Sequence, residues 1–221
     1  MSLRPCVLML TAACATASSS RQAPSDAPDG TADGSHNTGD GAQHADAAGH
    51  VDSPPGSCAN AFSGALATWS FTGEAGSQAS TNAASSATGV NAGAVSRSAS
   101  LTVASGVGSI NSSNWPSAAA LDPQKYYTFT VTPPSGCQLD LTSLAIDAKA
   151  SGTGPSMAVV ATSDDQFAAT TTLSTSAAST PALHVSGATT AVELRVYGFS
   201  ASGTGGTMRI QNTLTLTGAL R

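Results

Sequence analysis

From Ser151 to Gly218 the chain alternates apolar and polar residues in short runs separated by glycine-rich turns. AVELRVYGFSASGTGGTMRIQNTLTLTG is the clearest stretch. Period-two alternation puts one side chain set on each face of an extended strand, the pattern of a half-buried antiparallel sheet. The pattern begins at Cys58, and no window of ten or more residues beyond it carries a 3.6-residue stripe. Strands are predicted over 66–71, 98–103, 126–132, 138–141, 144–149, 157–162, 170–173, 182–186, 191–197 and 206–216. The Gly, Pro, Ser and Asn between them supply turn conformations. Many short strands so spaced predict an all-β fold, a sandwich or a barrel, and the strand content favours an antiparallel β-sandwich.

Facing follows from parity. Val192, Leu194 and Val196 share one face, and Glu193, Arg195 and Tyr197 the other. Tyr127, Phe129 and Val131 point inward, as do Trp69 and Phe71. The apolar parity flips between Leu141 and Leu144, so Thr142-Ser143 should be a bulge or a crossing between sheets. Asn212 falls in the inward parity of Met208, Ile210, Leu214 and Leu216, and is expected to hydrogen-bond a loop backbone.

Three segments follow: residues 1–17, 18–57 and 58–221. In the first, Arg4 precedes a short apolar run and then small residues, the layout of a secretory signal. Thr11-Ala12-Ala13-Cys14 resembles a lipobox, which would place a lipid on Cys14; Leu10 lies one place early for that pattern. Ordinary cleavage after Ala13, Ala15 or Ala17 is the alternative. No other apolar run approaches the ~18 residues of a membrane span. Either way the protein is expected to be exported, to the cell envelope or outer surface. Its only membrane contact would be an N-terminal lipid.

Residues 18–57 have Val51 as their sole branched aliphatic side chain and are expected to stay disordered, since they bury too little to offset ordering entropy. Residues 15–57 carry six acids against Arg21, whereas 58–221 carry seven acids against six bases. Repulsion would extend the linker into a tether. Its three histidines lack the spacing of a closed metal site. The near-neutral domain has no basic cluster, which argues against nucleic acid.

Cys58 and Cys137 are the only cysteines of the predicted domain. In an oxidising compartment they are expected to pair and staple the start of the domain to the turn around Gly136.

The chemistry-bearing residues are few. His184 is the domain's only histidine and faces opposite Leu183 and Val185, so no Ser-His-acid triad is expected. Asp164-Asp165 could help bind calcium or could cap an Asx-type turn. No other cofactor is expected. Sugar binding would use exposed aromatics: Trp115, Tyr126 and Tyr197 are the candidates, the tyrosines being outward by parity. Trp115 could instead fold down as a lid on the sandwich edge.

Trp69-Ser70-Phe71, the run 126–133, the turn 151–155, the run 163–167, Leu194-Arg195-Val196-Tyr197-Gly198 and the run 206–212 form an ordered series. This series resembles the exported jelly-roll domains of bacterial surface proteins of the PEP-CTERM sorting-anchor type, over about residues 62–218. The resemblance implies a carbohydrate-binding-type sandwich, of a group most of whose members have no assigned activity, and glycan or other envelope components as partners. It also implies a C-terminal sorting helix, which the residues after Gly218 do not supply; a lipid on Cys14 would substitute. The Asp-Asn usual in the last strand is Gln211-Asn212 here, which removes a charge from any cation site there. The expected function is a non-catalytic, surface-held binding or structural module. An adhesion or envelope-structural protein without a small ligand is the alternative, and a hydrolase with an unrecognised site comes last.

Overall fold

The computed structural model describes residues 58–221. The segment 1–17 expected to be a signal, with Cys14, and the expected linker 18–57 lie outside the described residues. Fourteen strands build the domain: β1 (Phe62–Ser70), β2 (Ser80–Thr81), β3 (Ala83–Ser86), β4 (Asn91–Ala92), β5 (Val95–Arg97), β6 (Thr102–Ala104) and β7 (Ser109–Ser113), then β8 (Tyr126–Thr132), β9 (Leu139–Ala150), β10 (Pro155–Thr162), β11 (Thr171–Leu173), β12 (Ala182–Ala188), β13 (Val192–Ala201) and β14 (Met208–Leu220). They form two antiparallel sheets. The first runs β12-β9-β14-β1-β3, with β7 beside β14 and β6 beside β7; the second runs β11-β10-β13-β8-β5-β2, with β4 beside β8. From β8 to β10, and again from β12 to β14, successive strands alternate between the sheets. That is jelly-roll winding, and the fold is an antiparallel β-sandwich.

Alternation produces the core directly. In β8, Tyr127, Phe129 and Val131 are buried and Tyr126, Thr128, Thr130 and Thr132 are half-exposed. In β13, Val192, Leu194 and Val196 face the same interior. They meet Leu139, Leu141, Leu144, Ile146, Met208, Ile210, Leu214 and Leu216 from the first sheet in one cluster. Trp69 stacks edge-on against Phe129 with ring centroids 4.9 Å apart, and its Nε1 donates to the Gly93 carbonyl at 2.9 Å. Its one polar atom is thereby satisfied inside an apolar layer.

The parity flip at Thr142-Ser143 is a bulge within the single strand β9, not a crossing. Leu141 pairs with Gly218 and Ser143 with Thr217, so Thr142 is the extra residue. On the other side of β14, Ala65 pairs with Thr217 and Ala67 with Leu216, which makes Leu66 extra. Both neighbours of β14 therefore bulge at the same level, sharpening the twist there. Gly218 sits between them, where a Cβ would run into the carbonyl oxygen of Asp140.

Three expectations are corrected. The predicted strand 98–103 is broken by a turn closed by Leu101 N–H donating to Ser98 O (3.1 Å), so β5 ends at Arg97 and β6 starts at Thr102. Asn212 is exposed, not inward: β14 gains two residues between Gln211 and Thr215 relative to β9, and Asn212 takes φ 61° in that bulge. Asparagine tolerates this left-handed conformation better than most residues. Strands β2, β3, β4, β5 and β7 lie outside the expected ones, because short runs rich in Ser, Asn and Ala carry no apolar alternation.

Cys58 and Cys137 form the expected disulfide, with Cα atoms 4.5 Å apart. At the edge of the sandwich, Arg97 of β5 crosses to the first sheet. Its Nε donates to Ser112 Oγ (3.0 Å), Nη1 to Gln78 O (2.7 Å), and Nη2 to Gly76 O (3.1 Å) and Asn111 O (3.3 Å). Burial pulls its pKa down, opposed by the neighbouring Tyr127.

Candidate functional site

The outer face of β10, β13 and β8 carries a second, smaller apolar cluster. The register lines up Met157 with Phe199, Val159 with Tyr197 and Ala161 with Arg195; across β13, Tyr197 pairs with Tyr126 and Arg195 with Thr128. Val159, Ala161 and Tyr197 are buried although they point away from the core, because Leu121, Tyr126, Phe167 and Phe199 pack over them. A sheet face normally open to solvent is thus half roofed by two loops.

The first loop, 114–125, is tied to the end of β13: Ala201 and Ser200 donate their N–H groups to the carbonyls of Pro116 and Ala118, each at 3.0 Å. The second follows β10. The 3₁₀ turn Ser163–Asp165 is succeeded by Gln166 and Phe167, both left-handed at φ 61° and 63°. Two consecutive non-glycine residues in that region are strained and need external support. Asp165 supplies it, its carboxylate accepting the N–H groups of Ala168 (3.2 Å) and Ala169 (2.8 Å). Ser163 Oγ accepts the Glu193 N–H at 2.9 Å and pins the turn to β13.

This support presents the Phe167 ring to Arg195. The guanidinium carbon lies 4.0 Å from the Phe167 ring centroid and 4.4 Å from that of Tyr126, so the cation is held between two rings. Tyr126 and Tyr197 meet edge-on at 5.7 Å. Arg195 also donates to both Glu193 oxygens, Nε to Oε1 at 2.7 Å and Nη2 to Oε2 at 3.3 Å. Thr128 donates to Oε1 at 2.8 Å. The hydrogen bonds to Glu193 hold the Arg195 pKa above its ordinary value against the pull of burial. Burial pushes Glu193 up, but the bonds from Arg195 and Thr128 outweigh it and leave the carboxyl below its usual range. Burial raises the Tyr197 phenol. At neutral pH the site is an ion pair whose guanidinium lies against the Tyr126 and Phe167 rings.

The candidate residues divide as follows. Trp115 is corrected: it is 3% exposed, packs 5.4 Å from the Tyr127 ring and donates Nε1 to Ser112 O at 2.9 Å, so it closes the sandwich edge and offers no face to a ligand. Tyr197 is outward by parity yet 3% exposed, covered by the loops. Tyr126 is half-buried beneath the guanidinium. Asp164 and Asp165 take the turn-capping role: Asp164 accepts from Thr162 Oγ1, and Asp165 holds the turn under Phe167. Among the described residues no three His, Cys, Asp or Glu side chains converge. His184 is exposed on β12.

Phe167 and Arg195 were not named as site residues by the sequence. Arg195 was detectable, since Glu193, Arg195 and Tyr197 share one parity. Phe167 was not, because irregular left-handed backbone has no periodicity to read.

No known family profile and no curated protein matches the chain. Among solved structures it is similar to a mutant family 29 carbohydrate-binding module complexed with mannohexaose, at 15% identity, covering 70% of this chain and 93% of that one with a TM-score of 0.35. A second family 29 carbohydrate-binding module is similar at 16% identity, 68% and 88% coverage and the same TM-score of 0.35. Likeness at that level says nothing about a ligand of this chain.

Proposed function

We propose that this protein is an exported, surface-held, non-catalytic module that binds glycan through the outer face of β8, β10 and β13. The observation that carries the reading is the Arg195 guanidinium held between Tyr126 and Phe167 beside Glu193. Sugars present apolar C–H faces and paired hydroxyls. Aromatic rings suit the first, and a fixed guanidinium–carboxylate pair suits the second. Glu193 takes two of the five guanidinium donors, which leaves others for a ligand. The proposal includes lipid attachment at Cys14, with 18–57 as tether. Palmitate labelling lost in Cys14→Ala would support that part, and unchanged labelling would sink it.

The glycan reading is tested by array binding and titration of wild type, Phe167→Ala and Arg195→Ala. Binding is expected to weaken at least about tenfold in both, equivalent to ~1.4 kcal/mol. Wild-type affinity in both variants would overturn it.

One observation favours the alternative of a protein-contact role in adhesion or the envelope. Met157 is 45% exposed beside its register partner Phe199, an apolar pair that the loops leave open. No glycan binding by wild type, together with loss of surface adhesion in Met157→Lys, would select it.

A further inference from the structure

On the opposite side of the sandwich, the outer face of the first sheet places two cations directly across from one another. Lys149 of β9 and Arg209 of β14 are register partners. Their neighbours Ala148 and Ile210 are fully buried in the core, so by alternation both cations lie on the outer face, Lys149 exposed and Arg209 half-buried. Directly opposed side chains on antiparallel strands lie with Cβ atoms about 5 Å apart, and like charges so placed repel.

A carboxylate on the same face makes no ion pair with them. Asp147 is on the same face, two residues before Lys149, but one of its oxygens accepts from Gln211 Nε2 (2.8 Å) and from Asn212 Nδ2 (2.6 Å). The left-handed bulge at Asn212 carries the second amide there. One Asp147 oxygen is held by two neutral donors, and the ion pairs among the described residues, Arg195–Glu193 and Arg221–Asp140, include neither cation. Arg209 Nε is buried without a hydrogen-bond partner. A buried N–H left unpaired is destabilising unless an acceptor reaches its group.

Both cations line a depression of about 250 Å³, together with Ala150, Ser151 and Thr207. Its wall is fixed: Ser151 N–H donates to Thr207 O, and Thr207 N–H to Ser151 Oγ, each at 2.9 Å. With its oxygen so engaged, the Ser151 hydroxyl retains its proton as a donor. An ammonium, a planar guanidinium and a hydroxyl donor around a small hollow match the needs of one chemical group.

We propose that this depression binds an oxyanion, the carboxylate, sulfate or phosphate carried by an acidic polysaccharide or present as a free ion. The site lies on the other sheet from the ion pair of Arg195 and does not depend on the glycan reading above.

The test is equilibrium titration of the full chain with polygalacturonate, dextran sulfate and inorganic phosphate, with unsubstituted dextran as the uncharged control. Wild type is compared with Lys149→Gln, Arg209→Gln, and Lys125→Gln, which removes the same charge elsewhere. Lys149→Gln and Arg209→Gln are expected to weaken anion binding about tenfold each, and Lys125→Gln less than about twofold. Added salt should weaken wild type more steeply than either site variant. Site-dependent binding of the polymers alone assigns the group to a polysaccharide; site-dependent binding of phosphate as well assigns it to free anions. No binding by wild type, equal affinity in Lys149→Gln, equal loss in Lys125→Gln, or equal binding of dextran would each overturn the proposal. Lys149 is exposed, so its variant carries the test even if Arg209→Gln is destabilised.

Discussion

Tyr127 of the second sheet donates its phenolic hydrogen to the carbonyl of Met208 in the first, at 2.5 Å and in full burial. The bond crosses the sandwich where β8 and β14 face each other, beside Ser112 and the charge of Arg97. Burial drives the phenol well above its ordinary pKa, against the opposing pull of Ser112 and Arg97.

Tyr127→Phe is therefore expected to lower stability by about 1–3 kcal/mol in urea unfolding, because the partner acceptor stays buried. The pH dependence has a definite sign. A tyrosine with raised folded pKa contributes stability that is present below its unfolded value, about 10, and is lost as pH rises past it. The unfolded chain then binds fewer protons than the folded one. Wild-type stability should fall more steeply than that of Tyr127→Phe above about pH 10. Parallel slopes would show that the phenol ionises as easily in the fold as outside it.

Trp115→Ala separates packing from recognition. The side chain is 3% exposed and packs beside Tyr127, so truncation should cost about 3–5 kcal/mol. Variant protein that remains folded at low temperature should keep wild-type ligand affinity. A surface residue would show the reverse: little change in melting and loss of binding.

The disulfide spans 79 positions and joins the residues before β1 to the turn before β9. Chain-entropy arguments give a contribution on the order of 4 kcal/mol. Unfolding with and without reductant should differ by about that amount, and the double variant Cys58→Ala/Cys137→Ala should behave as the reduced protein. Alkylation mapped to Cys58 and Cys137 in non-reduced, unfolded protein would contradict the bond.

The legible part of this fold is the part whose physics is local. Tyr126–Thr132 was delimited correctly because side chains alternate faces along a strand, and Tyr127, Phe129 and Val131 had to share one. The bulge at Thr142 was legible for the same reason, as a break in parity. Asn212 misled because a two-residue bulge preserves parity while turning the side chain out. The candidate site was half legible. Parity put Tyr126, Tyr197 and Arg195 on one outer face, but nothing in a strand pattern says what covers that face. The cover comes from 114–125 and from Phe167, whose position depends on long-range bonds such as Ala201 to Pro116 and on a strained turn. Trp115 followed the same rule: its neighbours were set by a loop docking against β13, not by its own segment.

The strained turn under Phe167 yields the last prediction. Its left-handed pair is held from below by Asp165 and from the side by Ser163, and from above the Arg195 guanidinium stacks on the ring. Asp165→Ala removes both carboxylate acceptors of the turn while leaving Arg195, Glu193 and Tyr126 in place. Amide exchange should accelerate at Ala168 and Ala169, whose N–H groups lose their partners, with global stability reduced by only about 1 kcal/mol because the site is exposed. Arg195→Ala should loosen the same segment from the opposite side, since a cation between two rings contributes roughly 0.5–2 kcal/mol. If the two act through one element, the double variant should cost less than the sum of the singles. Full additivity, or unchanged exchange at Ala168 and Ala169 in Asp165→Ala, would mean that Phe167 is positioned by the apolar cluster of Val159, Ala161 and Tyr197 alone.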